Sequence, residues 1–81
     1  MPYVTAGTRK MLDNGLAPTD VGGLTYQFYK ESMRYINNVT EPRYADFATV
    51  IAALEAAKLE FYRRHVANYE DEKIRENGDV T

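Results

Sequence analysis

The chain contains no cysteine, a single histidine (His65), a single serine (Ser32) and only three prolines in 81 residues. Without cysteine there is no disulfide, no thiolate metal site and no cysteine nucleophile, which agrees with a reducing compartment. One serine and one histidine do not make a catalytic triad with its alternatives. A carboxylate-bridged metal centre in a helical bundle wants Glu-x-x-His pairs, and the residue three before His65 is Tyr62. Gly22-Gly23 lacks the lysine and threonine that would follow in a phosphate loop. No stretch is apolar for long enough to span a membrane, and MPYVTAGTRK has no run suited to a signal peptide. A non-enzymatic protein with no cofactor and no metal, kept in the cytoplasm, is the expectation.

Charge of one sign is also scarce. The formal net charge is −2, and residues 1–45 carry five basic and four acidic side chains against five and eight in 46–81. Arg9-Lys10 and Arg63-Arg64 are pairs, not the dense basic footprint of a DNA binder, so DNA is not an expected partner. Glu70-Asp71-Glu72 points in several directions around a helix and reads as a solvated face.

What the chain does have is a long helical stretch. Tyr44 to Asn77 has no proline or glycine and is rich in alanine, leucine, glutamate, lysine and arginine. Pro42 stands near its start, and Thr40-Glu41-Pro42 is expected to supply the capping chemistry; Gly78 supplies the stop. A helix over 43–77 would be about 50 Å long, more than one small domain covers. At 100° per residue, Phe47, Val50, Ile51, Leu54, Ala57, Phe61, Tyr62 and Tyr69 gather on one face, and Ala45, Ala48, Ala52, Ala53 and Ala56 offer small surfaces for close approach. Lys58 and His65 interrupt the stripe. Two readings stand: a wet, salt-paired end of the stripe, or a polar pocket between neighbouring helices.

Upstream, Thr5 to Asn14 reads as a short helix capped by Thr5, anchored by Met11 and Leu12 and stopped at Asn14-Gly15. Residues 15–23 read as a loop. Leu24 to Asn38 is a second helix with two apolar faces, one of Leu24, Phe28, Tyr35 and Val39, the other of Tyr29, Met33 and Ile36. The short connection to the long helix predicts an antiparallel pair. The expected fold is therefore all-α over a single domain: a helical hairpin with one very long C-terminal helix and a short N-terminal helix, assembling as an oligomeric bundle. A dimer or larger is expected, because two apolar faces on one helix call for a second subunit.

The run ALEAAKLEFYRRHVANYEDEKIRENGDV, Ala53 to Val80, together with the MPYV start, resembles a family of small proteins of unknown function encoded by tailed phages and prophages. The resemblance implies a short, single-domain protein with no established activity, acting in the host cytoplasm. It also implies an apolar residue where this chain has His65, and a proline where it has Asn68. The second departure suggests a bend near residues 67–69.

Seven tyrosines are more than a small core requires. Their rings suit surfaces with one end buried and one wet, and they also stack on bases. Lys58, Tyr62, Arg63, Arg64, His65 and Tyr69 form the candidate ligand-binding set. Helical spacing puts Lys58, Tyr62, His65 and Tyr69 in one row, with guanidinium groups beside it able to hold phosphate. Three functional expectations follow. The first is a phage accessory protein working by protein–protein interaction, with itself and with a host or phage protein. The second is a sponge for a small anionic nucleotide signal, by analogy of size and setting with helical oligomers that phages use in counter-defence. The third is a metal-dependent hydrolase whose arrangement no motif announces.

Overall fold

A computed structural model describes residues 4–81. The described residues are helical, with no strand among them: α1 is Ala6–Asp13, α2 Val21–Asn37, α3 Tyr44–Phe61 and α4 Ala67–Asn77, with a π-helical turn Tyr62–Val66 between the last two. The chain divides into two compact units, the first ending at Val50 and the second running Ile51–Thr81.

In the first unit α1 begins where Thr5 Oγ1 accepts the Thr8 amide at 3.2 Å. It stops at Asn14, after which Gly15 takes a φ of +103° that a side chain would resist. The second helix starts earlier than its apolar pattern suggests, at Val21 instead of Leu24. Asp20 is the reason. Its Oδ1 accepts the Gly23 amide at 2.8 Å, and its carbonyl accepts the Leu24 amide at 3.0 Å. A satisfied N-cap outweighs the poor helix propensity of Gly22-Gly23, which had argued for a loop through residue 23.

α1 packs on the N-terminal part of α2. Leu12 and Tyr26 form the core there, 4% and 7% exposed, with Gly23 buried beside them. The Tyr26 hydroxyl donates to Asp13 Oδ1 at 2.8 Å and Gln27 Nε2 to the Leu12 carbonyl at 3.4 Å, so the apolar contact is pinned at its polar rim. Burial, followed by the bond to Asp13, holds the Tyr26 phenol above its ordinary value. Met11, read as an anchor alongside Leu12, is exposed, as are Phe28, Tyr29 and Tyr35 on α2.

The start of α3 is closed from inside the helix. The Arg43 carbonyl accepts the Asp46 amide at 2.9 Å, while Asp46 Oδ2 accepts the Arg43 amide at 2.9 Å. That is the returning half of a capping box, supplied by Asp46 and not by the Thr40-Glu41-Pro42 segment. No residue of α3 is buried.

Candidate functional site

The candidate residues all lie on the second unit, at the end of α3, in the π turn and at the start of α4. The Ala67 amide reaches back five residues to the Tyr62 carbonyl, so the turn holds one residue more than an α turn. The Asn68 side chain donates to the Arg64 carbonyl at 2.8 Å, occupying a carbonyl within the widened turn.

That extra residue corrects the expected row. Each residue of an α-helix advances about 100°, so one inserted residue turns everything downstream by about that angle. Tyr62 is therefore brought into line with Glu70, to which its hydroxyl donates, and not with Tyr69. Sequence periodicity assumed an unbroken α ladder through the very residues where the ladder widens.

Each candidate has its own local partner, and none of the contacts joins one candidate to another. Lys58 Nζ lies 3.1 Å from Glu55 Oε1. Arg63 Nη2 lies 2.7 Å from Glu60 Oε1, and Arg64 Nε shares that same oxygen. The His65 ring rests 4.9 Å from the Phe61 ring at 42°. Tyr69 sits beneath Lys73, whose Nζ is 5.5 Å from the ring centroid. The ion pairs are more than half exposed at the basic side chain, where pairing contributes little to stability. It does set the local field: two guanidinium groups converge on one carboxylate, and the Lys58 ammonium is matched by Glu55. An incoming phosphate would have to displace those carboxylates.

Near Tyr69 the surface forms a shallow, open groove of ≈ 380 Å³, lined by Tyr69, Lys73, Ile74, Gly78 and Val80 among others. It does not enclose Lys58, Tyr62, Arg63, Arg64 or His65. Among the described residues no group of three histidine, aspartate or glutamate side chains could hold a metal ion. No described helix is long and apolar enough to cross a membrane.

The bond to Glu70, then the charge of that carboxylate, raises the Tyr62 phenol above its ordinary value of 10.0; partial desolvation and Asp71 add to this. A raised value in the folded state means the neutral phenol is favoured there. Its contribution is complete below the unfolded value and is lost as pH rises through the folded one. Glu70→Gln should therefore lower the Tyr62 titration midpoint toward 10, read by tyrosinate absorbance against a Tyr62→Phe blank. An unchanged midpoint would mean that the phenol and the carboxylate do not meet in solution.

Sequence reasoning missed the π turn and the Tyr62–Glu70 pair. The only sequence mark near them is Asn68, whose side chain is able to bond the carbonyl four residues back.

Fold and site together define a small all-α protein whose candidate residues lie on an open, charge-paired helical surface. The chain belongs to the family described as domain of unknown function (DUF6899), whose model matches residues 1–80. No curated protein and no solved structure matches the chain.

Proposed function

We propose that this is a non-enzymatic accessory protein of phage or prophage origin, acting in the host cytoplasm by protein–protein interaction as a small helical oligomer. The observation that carries the reading is the state of α3. It has no buried residue, yet it bears Phe47, Ile51, Leu54, Leu59 and Phe61 at between 39% and 67% exposure. Isolated exposed apolar residues are ordinary; four of these, Phe47, Ile51, Leu54 and Phe61, fall on one face of a helix of 18 and form a surface suited to a partner. The hairpin of α2 against the long helix, repeated in a bundle of copies, belongs to this reading, since α2 also leaves Phe28, Tyr29 and Tyr35 exposed. Phage origin rests on the resemblance over Ala53–Val80.

Native mass spectrometry of freshly purified protein, with sedimentation at micromolar concentration, tests the reading. The expected result is a dimer or larger species without small-molecule cargo. A stable monomer across that range would overturn it. Nucleotide retained in stoichiometric amount would turn the assignment toward sequestration, against which the pairing of Arg63 and Arg64 with Glu60 now weighs.

A further inference from the structure

We propose that Asn77 is a site of spontaneous covalent modification, where the side-chain amide becomes a carboxylate by way of a cyclic imide with Gly78. Neither an enzyme nor a cofactor is needed, only water.

Two asparagines of the chain, Asn14 and Asn77, are followed by glycine. Glycine has no Cβ, so its nitrogen reaches the preceding side-chain amide carbon with the least hindrance. Both dipeptides also follow an acidic residue, Asp13 and Glu76, and both asparagines are exposed. Intrinsic chemistry and solvent access therefore do not separate the two. Their hydrogen bonds do.

The attacking atom is the glycine nitrogen, and at both places its N–H is donated to a helix carbonyl. That bond must open before attack. Gly15 donates to the Leu12 carbonyl at 3.0 Å, and the same carbonyl accepts Gln27 Nε2 at 3.4 Å. Leu12 is buried in the contact between α1 and α2, and the Leu16 amide adds a bond to the Met11 carbonyl at 3.0 Å. Freeing the Gly15 nitrogen thus means loosening the core of the first unit. Gly78 donates to the Ile74 carbonyl at 2.8 Å. Ile74 is 42% exposed, and α4 has no buried residue. Among the described residues no backbone bond ties Asp79, Val80 or Thr81 to the helix. Fraying of one terminal turn is enough there.

The step balances without an oxidant. The Gly78 nitrogen bonds to Asn77 Cγ, the Cγ–Nδ2 bond breaks, and ammonia leaves with the proton from the Gly78 N–H. Water then opens the imide at either carbonyl. One opening gives aspartate; the other gives isoaspartate, in which the main chain runs through the former side chain. Either product adds a negative charge beside Glu76 at the negative end of α4, where the helix dipole disfavours it. The isoaspartate route also lengthens the backbone between Ile74 and Gly78, which share the closing bond of the helix.

Incubation of the full chain in mildly alkaline buffer, followed by peptide mapping for aspartate and isoaspartate, tests the site. In the native protein Asn77 should convert at least about tenfold faster than Asn14, the difference in cost of local opening. In denaturant the two rates should agree within about threefold, because both asparagines precede glycine. Leu12→Ala should raise the Asn14 rate several-fold while leaving the Asn77 rate near wild type. Equal native rates, a faster Asn14, or an Asn77 that stays intact while the denatured chain converts would each overturn the proposal. So would an Asn14 rate indifferent to Leu12→Ala, since hydrogen bonding to the core would then not be what separates the two sites.

Discussion

Leu12→Ala should cost about 2–4 kcal/mol and release α1 from α2. Leu12 is 4% exposed and is one of two buried apolar residues among those described, so the cavity has few neighbours able to close it. The loss should spread to the rim, because the bond from Tyr26 to Asp13 and the bond from Gln27 to the Leu12 carbonyl both need the two helices in register. Amide exchange gives the clearest reading: protection should fall across Ala6–Asp13 while Tyr44–Phe61 is much less affected. A loss under about 1 kcal/mol, with α1 still protected, would show that the helices are not held by this contact.

Gly23→Val should destabilise the same unit by about 1–3 kcal/mol through overpacking. A β-carbon at Gly23 would meet Asp20 Oδ1 at 3.3 Å, Pro18 Cβ at 3.4 Å and Leu12 Cδ1 at 3.6 Å. The nearest atom is the oxygen that caps α2, so a branched side chain strains the cap and the helix contact at once. Gly23→Ala is the instructive companion. Alanine gains about 1 kcal/mol of helix propensity over glycine, and the crowding at 3.3 Å takes most of it back. Thermal melts should thus show alanine close to wild type and valine clearly lower. Equal melting for all three would mean that α1 does not sit against Gly23 in solution.

Much of the local structure is legible in the residues themselves. Thr5 caps α1 as its position suggests, Asn14-Gly15 stops it, and Gly78 ends α4 with a positive φ of 83°. These signals are carried by side chains and backbone within four residues of each other, so no distant part of the chain can alter them. Asp20 shows the limit even at short range. Gly22-Gly23 read as loop residues by propensity alone, while the aspartate beside them was enough to start a helix.

The core was legible only in half. The helical pattern offers Met11 with Leu12 as anchors of α1, yet Met11 is exposed; on α2 the buried residue is Tyr26, which adjoins the Tyr29, Met33 and Ile36 face one turn nearer the N-terminus, while Tyr29 itself is exposed. Periodicity ranks the faces of a helix by how much apolar surface they carry. It does not say where along the helix another element will land. Gly23 decides that, by letting α1 come close one turn before Tyr26.

The site divides in the same way. Sequence alone determined that Lys58, Tyr62, Arg63, Arg64, His65 and Tyr69 occur on one helical stretch, and that the chain would be helical. Those facts follow from composition and spacing. Only the tertiary structure decided that the stretch widens at Tyr62–Val66, that Tyr62 meets Glu70, and that Glu60 is shared by both arginines. One added residue in a turn rotates all that follows by about 100°, a change too small to leave a mark in composition and large enough to change every neighbour.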